Sequence, residues 1–237
     1  MSKQLWKPGN MLYPLPAVMV SVGNKQGETN IITVAWTGTI CTNPAMVYIS
    51  VRPERYSYQM IKESGEFVIN LTTEKLVKAT DYCGVKSGRD VDKWKEMNLH
   101  QVKAETLEYS PLILESPVNI ECKVVEIKEL GSHHMFLANV TAVHADEAYL
   151  NEQNKFELNN TGLLAYSHGE YFELGKQTGR MAAKVLKGEA KASDMNYEVI
   201  SEPSLYVNTA AAQKIGLTLP DGFADGAYQS FDEIIVE

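Results

Sequence analysis

The sequence predicts a mainly β fold: an antiparallel barrel with a few short helices inserted between its strands. Short apolar runs rich in β-branched residues recur along the chain, and turn residues separate them. Strands do not alternate with long helices, which would indicate a parallel sheet. No repeat of about 20–50 residues is visible, so the sequence does not predict a solenoid or a propeller.

The first three strands lie near the N-terminus. Residues 17–24, AVMVSVGN, form a short apolar run that predicts a buried strand. Turn residues at 24–27 connect it to residues 30–41, NIITVAWTGTIC, which are predicted as the second strand of a hairpin. Residues 46–52, MVYISVR, predict a third strand that ends before Pro53.

Two helices and a strand follow. Residues 56–64 predict a short helix with Met60 and Ile61 facing inward and Gly65 as its end. Residues 66–71, EFVINL, predict a strand, and Thr72 or Thr73 is expected to cap a second helix that ends at Gly84. Residues 85–98 predict a loop that leads into one or two helical turns.

The second half of the predicted barrel consists of hairpins. Residues 118–128 alternate in polarity, which indicates a half-buried strand of an antiparallel sheet. Its inward face is predicted to carry Val118, Ile120, Cys122, Val124 and Glu126, and its outward face Asn119, Glu121 and Lys123. Residues 133–144 are the expected partner strand across a turn at 130–132, and residues 163–174 predict a further hairpin that turns at 168–170.

Composition and charge exclude several classes of protein. The chain has 237 residues, of which 44% are hydrophobic and 22% charged, as in ordinary globular domains. Its net charge of −8 does not favour a nucleic-acid partner. No apolar run approaches the roughly 20 residues of a membrane span, and the N-terminus lacks the apolar core of a signal peptide.

The three cysteines are far apart and odd in number, so they predict neither a disulfide framework nor a CxxC site. Reduced thiols of this kind predict a cytoplasmic protein. The charge distribution predicts a boundary near residue 192. Residues 193–237 contain eight acidic residues and one basic residue, whereas residues 1–192 are close to neutral. We therefore expect one domain over 1–192 and an acidic C-terminal extension over 193–237.

Several common catalytic and binding motifs are absent from the sequence. It contains no GxGxxG, no GxxxxGK[ST] phosphate loop, no HExxH and no GxSxG. His133 and His134 are neighbours in a predicted strand, so their side chains should point to opposite faces and cannot bind one metal together. We predict no metal site.

Six segments in order resemble those of the flavoredoxins, which are flavin-reductase-like proteins with an FMN-binding split β-barrel. The resemblance covers about residues 5–180. The segments are NIITVAWTG (30–38), SVRPERYS (50–57), GEFVINL (65–71), DYCGVKSGRDVDKW (81–94), ESPVNIEC (115–122) and GSHHMF (131–136). The resemblance implies bound FMN, a homodimer with FMN near the dimer cleft, and electron or hydride transfer through flavin N5.

The residues after the third strand fit a phosphate-binding role. Arg52 ends that strand, and Arg55, Tyr56 and Ser57 follow at the start of a helix, where free backbone N–H groups and the helix dipole favour an anion. Arginine adds a charged donor fork. A pair of surface arginines on a turn is the alternative interpretation.

Other residues correspond to positions that line the flavin in the resembling family. Trp36 can cover one edge of the flavin ring, and the amide of Asn30 suits its pyrimidine edge. A core tryptophan and a turn asparagine are the respective alternatives. The predicted cofactor-binding set is Asn30, Thr33, Ala35, Trp36, Thr37, Ser50, Val51, Arg52, Tyr56, Ser57, Lys93 and Tyr166.

The resemblance also implies two catalytic residues. Lys93, near flavin N1 and O2, would stabilise the negative charge of the reduced ring. His133 matches the histidine of the family's GSH motif, although His134 stands where relatives often have aspartate. Cys83 is interpreted as a buried spectator thiol, because no resolving cysteine lies near it in the sequence.

These residues predict an FMN-binding oxidoreductase of the flavoredoxin or flavin reductase type, whose partner is NAD(P)H or a redox protein. The alternative is a non-catalytic flavin-binding carrier or sensor module. The tail segment EPSLYVNTAAAQKIGLTLP (202–220) instead resembles the end of ABC-transporter substrate-binding proteins, and we interpret it as an appended fragment.

Overall fold

The computed structural model describes residues 3–167, 169–173, 206–208 and 229–231. Its strands are β1 (Leu15–Pro16), β2 (Val18–Gly23), β3 (Thr29–Val34), β4 (Thr37–Cys41), β5 (Met46–Val51), β6 (Glu66–Leu71), β7 (Gln101–Val102), β8 (Leu112–Ile113), β9 (Val118–Leu130), β10 (His133–Ala145), β11 (Leu164–Ser167), β12 (Glu170–Glu173), β13 (Tyr206–Asn208) and β14 (Gln229–Phe231). Its α-helices are α1 (Tyr56–Ser64), α2 (Val77–Val85) and α3 (Lys93–Glu96). The mainly β prediction is confirmed.

Seven antiparallel strands form the main sheet, in the order β3-β2-β6-β9-β10-β5-β4. Strands β3 and β4 are consecutive in the chain yet lie at opposite edges of this sheet, so the sheet curls into a barrel. The backbone N–H of Ser50 donates to the carbonyl of Trp36 at 2.8 Å, where the chain passes from one edge to the other. The prediction of a single strand over 30–41 is therefore wrong, because the strand breaks at residues 35–36.

The barrel encloses the principal core. Ile49, Ile61, Phe67 and Phe136 are fully buried there. A buried aliphatic or aromatic side chain of this size contributes roughly 1.5–3 kcal/mol to folding. Helix α1 covers one side of this core, and Gly65 ends the helix in the left-handed region with φ 71°, as predicted.

The second helix differs from its prediction at both ends. A 3₁₀ turn over Glu74–Leu76 precedes α2, and the Thr73 side chain makes no capping hydrogen bond. Thr72 donates its hydroxyl to the carbonyl of Ala17 instead. Gly84 does not end the helix: a Cβ there would lie 3.2 Å from the Thr33 Cβ, so this glycine allows α2 to approach β3 closely.

Strand β9 departs from simple alternation. The register against β10 shifts between Leu137 and Ala138, so Val125 and Glu126 lie outward and Ile127 packs against the core. Asn119 and Glu121 point away from the core that Ile120 and Cys122 reach, as predicted, but residues 105–113 cover this face and both side chains are buried. Its partner strand and the turn at 130–132 are confirmed.

Smaller sheets complete the described structure. Strands β1, β11 and β12 form a three-stranded sheet, which confirms the hairpin predicted over 163–174. In the tail, β13 and β14 pair in parallel; the rest of the predicted extension lies outside the described residues. Among the helices that the structure describes, none is long and apolar enough to cross a bilayer.

Candidate functional site

Two adjoining cavities lie between the barrel wall and the helices α1 and α2. Their volumes are about 360 and 210 Å³, and both are lined by Ile32, Arg52 and Arg55. The larger cavity is also lined by Ala17, Thr33, Val34, Ala35, Trp36, Ser50, Val51, Asp81, Gly84, Val85, His133, Tyr166, Gly169 and Tyr171. The smaller one is also lined by Asn30, Glu54, Tyr56, Ser57, Cys83, Lys86, Ser87, Gly88, Arg89 and Lys93.

The smaller cavity is strongly cationic. Its described lining contains five cationic side chains and a single carboxylate, that of Glu54. The cations are Arg52, Arg55, Lys86, Arg89 and Lys93. Arg55 is the N-cap of α1, and its side chain makes no capping hydrogen bond. The first backbone N–H groups of the helix therefore lie beside this cationic region with no hydrogen bond from the N-cap side chain. This arrangement suits a phosphate.

The loop over residues 86–89 is held against the start of α1 by close packing. The Asn30 amide donates to Ser57 Oγ at 2.9 Å, and both side chains are buried. A Cβ on Gly88 would lie 2.2 Å from Asn30 Oδ1 and 2.8 Å from Tyr56 Cδ1, so only glycine fits at this position. Arg89 lies over the Tyr56 ring, 5.4 Å from its centroid.

Lys93 is buried beneath the smaller cavity, with only 3% of its surface exposed. Its ammonium donates to the carbonyls of Ile31 at 2.7 Å and Cys83 at 2.8 Å. Burial lowers the pKa of Lys93 to about 8, although the nearby Cys83 opposes this. An ammonium has three donors, so one remains for a ligand in the cavity.

The Cys83 thiol is fully buried next to Lys93. Burial raises its pKa to about 11, against the opposing charge of Lys93. The thiol therefore stays protonated near neutral pH, which agrees with its interpretation as a spectator.

The larger cavity has an aromatic and apolar lining. The chain crossing from β3 to β4 supplies Ala35 and Trp36, and the β11–β12 hairpin supplies Tyr166 and Tyr171. The rings of Trp36 and His133 are 4.1 Å apart at an interplanar angle of 37°. A planar ring system can pack against such a surface.

His133 and His134 point to opposite faces of the sheet, as predicted. His133 lines the larger cavity, and burial together with Arg52 lowers its pKa, so its imidazole is neutral near pH 7. His134 lies on the other face, where its Nδ1 is 2.7 Å from the Tyr58 hydroxyl oxygen. Among the described residues, no group of three metal-ligating side chains is found.

The structure brings almost all of the predicted site residues to the two cavities. The exception is Thr37, which is absent from both linings and donates its hydroxyl to the Tyr48 carbonyl at 2.6 Å. Asn30 lies in the smaller cavity beside Ser57, and not among the residues of the larger one. Its predicted place at the pyrimidine edge of a flavin stays a prediction.

The polar lining residues that sequence reasoning missed include Asp81, Lys86, Ser87, Arg89 and Tyr171. Four of them lie in the DYCGVKSGRDVDKW segment, whose cluster of basic and small residues was a usable signal for a phosphate loop. Tyr171 carried no local signal, because it reaches the site from a hairpin far along the chain.

The paired cavities fit FMN chemically. A phosphate matches the cationic cavity with its helix N-terminus, and a planar ring matches the aromatic cavity that adjoins it. Gly88 lets the loop that lines the cationic cavity approach Asn30 and Tyr56, since a side chain there would strike both.

This fold and this pair of cavities define a split-barrel protein of the flavin-binding type. Residues 11–175 match the flavin reductase like domain family, and the chain belongs to that family. The resemblance found in the sequence is thereby confirmed, and the family implies an oxidoreductase.

Two solved structures illustrate the likeness. The flavoredoxin of Desulfovibrio vulgaris (Miyazaki F) is 28% identical, with a TM-score of 0.68 over 74% of this chain and 94% of its own. The flavoredoxin from Methanosarcina acetivorans is 29% identical, with a TM-score of 0.67 over 74% of this chain and 93% of its own.

One relative has a stated activity. An NADH-dependent FMN reductase of Streptomyces nodosus subsp. asukaensis is 26% identical over 138 residues, which is 58% of this chain and 72% of the relative. A second and weaker match, to the ABC transporter substrate binding protein family, spans residues 154–230 and includes much of the predicted extension.

Proposed function

We propose that the protein is an FMN-dependent oxidoreductase that takes electrons or hydride from NAD(P)H or from a redox protein. One observation carries this proposal: a cationic cavity adjoins an aromatic one, and Arg52 and Arg55 line both. A single molecule with a phosphate at one end and a planar ring at the other would extend across both. The likeness to two flavoredoxins and to an FMN reductase supports it.

Each described group has a distinct part in this proposal. Arg52 and Arg55 bind the phosphate, together with the first N–H groups of α1. Trp36 shields the ring from water, and neutral His133 can hold or release a proton at the rim of the cavity. Bound FMN supplies the redox chemistry, and the protein sets its position and electrostatics.

The absorbance spectrum of the purified chain tests the proposal directly. We expect the yellow spectrum of bound FMN, and bleaching on anaerobic addition of NADH or NADPH. A yellow protein that neither nucleotide bleaches would instead support a carrier or sensor that exchanges electrons with another protein. A colourless protein that does not take up added FMN would contradict both interpretations.

Lys93→Met should leave FMN bound and lower its midpoint potential. The buried Lys93 ammonium lines the smaller cavity, which adjoins the cavity proposed for the ring, and a positive charge close to the ring favours the negatively charged reduced form. Its predicted place near flavin N1 and O2 stays a prediction. We expect a fall of about 30 mV for each 1.4 kcal/mol of lost stabilisation in a two-electron couple. Spectroelectrochemical titration of wild type and variant measures the shift.

Lys62→Met is a matched control, since Lys62 is a cation at the far end of α1 and contacts the Tyr58 ring. The potential of this control should not change. A Lys93→Met protein whose potential is unchanged or higher would remove Lys93 from the electrostatic role.

We also propose that two copies associate, as the resemblance implies. Val125, Leu130 and Val143 are each more than half exposed along the β9–β10 hairpin, and covering such apolar side chains would favour association with a second copy. Sedimentation at several concentrations measures the association. A monomer at all concentrations would contradict the homodimer.

Residues 193–237 form a separate acidic extension in this proposal, appended to a flavin-binding domain. Truncation after Ala192 should then leave FMN affinity unchanged, because every described residue that lines the two cavities precedes residue 174. We expect lower thermal stability or a weaker dimer, since apolar residues such as Leu205 and Ile215 need a surface to cover them. FMN titration and sedimentation of the truncated and full chains provide the test. Loss of FMN from a folded truncation would show that the extension helps to build the site.

A further inference from the structure

Asp81 is the only carboxylate among the described residues that line the larger cavity. It lies on the face of α2 that also presents Gly84 and Val85 to this cavity, as expected for residues three and four positions apart in a helix. The proposed FMN site leaves this carboxylate without a role, because the phosphate-binding groups all lie around the smaller cavity.

Tyr171 reaches Asp81 from a different part of the chain. Both residues line the larger cavity, where the Tyr171 phenol lies beside the Asp81 carboxylate, and the Tyr171 ring lies 5.5 Å from that of Tyr166. Burial raises the pKa of Tyr171, so the hydroxyl keeps its proton and can donate it to Asp81. The pair then has only acceptors left for a ligand: the remaining carboxylate lone pairs and the phenolic oxygen.

A group that binds such a pair must donate hydrogen bonds and must tolerate or carry positive charge. The primary carboxamide of a nicotinamide meets the first condition through its NH₂. A dihydronicotinamide that gives up a hydride, which is two electrons and one proton, to an oxidised flavin is left as a pyridinium cation. A carboxylate beside that ring stabilises the charge as it develops.

We propose that Asp81 and Tyr171 bind the nicotinamide end of a reduced dinucleotide in the larger cavity, with Asp81 as the specificity-determining residue. This inference rests on the proposed function. The opposite charges of the site support it: Arg52 and Arg55 line the cavity where negative charge develops on the acceptor, whereas Asp81 is placed for the donor. Asp81 remains accessible from the cavity, as a ligand-binding group must be.

The test compares Asp81→Asn and Tyr171→Phe with wild type as FMN-loaded full-length proteins. Glu152→Gln is the matched control, since Glu152 is an exposed carboxylate on a loop and belongs to the lining of neither cavity. Three quantities are measured: the FMN dissociation constant, the NADH and NADPH concentrations that half-saturate anaerobic flavin reduction, and the equilibrium binding of NAD⁺ to the oxidised protein.

We expect Asp81→Asn to raise the half-saturating NADH concentration and the NAD⁺ dissociation constant by about 10-fold, the effect of one lost charged hydrogen bond. Tyr171→Phe should have a smaller effect in the same direction, and the FMN dissociation constant should stay unchanged in both. Tyr171→Phe also keeps the test valid if Asp81→Asn does not fold.

Two outcomes for the variants overturn the inference. Unchanged nucleotide binding in a folded Asp81→Asn protein would leave the pair as a contact that only holds the β11–β12 hairpin to α2. Weaker FMN binding would instead place Asp81 at the flavin itself. A wild type that binds FMN but neither NAD⁺ nor NADH would overturn the inference and keep the flavin site, whereas a wild type that takes up no FMN would overturn the proposed function itself.

Discussion

The double variant Arg52→Ala/Arg55→Ala should bind FMN more than about 100-fold more weakly than wild type. A hydrogen bond to a charged group contributes roughly 1.5–3 kcal/mol, and each 1.4 kcal/mol is tenfold in affinity. Arg52 alone should account for about 1–3 kcal/mol. Both arginines line the cationic cavity at the start of α1, so their loss removes two of the five cationic side chains in its described lining. Flavin fluorescence titration of each single variant and of the double variant measures these effects.

The arginines are suited to this test because their loss should affect folding little. Arg52 is about half exposed, and its 3.4 Å ion pair with Glu54 lies on the surface, where such pairs contribute little to stability. Lys62→Ala removes a cation from the opposite end of the same helix and serves as the control. FMN affinity that is equal in the double variant and in wild type would exclude a phosphate role for both arginines.

Local patterns predicted most of the strands and hairpins of the barrel. Residues 66–71 form a strand, residues 56–64 form a helix, and the turn at 130–132 joins two long strands, all as expected. These elements have strong local signals: a short β-branched run, a helix that ends at glycine, and a turn between alternating segments. A signal that lies within about ten residues of chain can be found from the sequence alone.

The break between β3 and β4 carried no such signal. Residues 30–41 are continuously compatible with a strand, and only the curling of the sheet moves Thr37 to the opposite edge, against β5. Barrel closure is a property of the whole sheet, since it depends on how many strands pair and how far they tilt. The same limit applies to the site. The residues after β5 predict an anion-binding turn, but nothing near Tyr171 in the sequence predicts that it lies beside Asp81.

The burial of two carboxylates was the other feature that the alternation of polar and apolar residues did not predict. Glu121 alternates with apolar residues in β9, which indicates an outward position, yet it is fully buried. It accepts hydrogen bonds from the backbone N–H groups of Glu105 at 2.8 Å and Thr106 at 2.7 Å, and from His144 at 2.7 Å. The Glu66 carboxylate likewise accepts hydrogen bonds from the backbone N–H groups of residues 108–110. Residues 105–110 belong to the segment that covers this face of the sheet. These two carboxylates fasten that segment to the barrel, a role that only the tertiary structure defines.

Glu121→Gln should therefore reduce the free energy of unfolding by about 3 kcal/mol at neutral pH. Burial acts to raise the pKa of Glu121, but its hydrogen bonds to residues 105, 106 and 144 prevail and lower it to about 2. A carboxylate whose pKa is depressed on folding stabilises the folded state above its unfolded pKa near 4.5. That contribution is lost as the pH falls from about 4.5 towards 2. Urea unfolding of wild type and variant between pH 7 and pH 3 measures both effects.

Glu126→Gln is the matched control for this prediction, because Glu126 lies further along the same strand, is exposed, and makes only a 3.7 Å surface pair with Lys128 in the structure. This control should keep the stability of wild type at every pH. The stability difference between wild type and Glu121→Gln should shrink as the pH falls, since protonation removes from the wild type the same charge that the substitution removes. A difference that stays constant from pH 7 to pH 3 would mean that the charge of Glu121 does not hold the covering segment, and that the loss comes from altered packing alone.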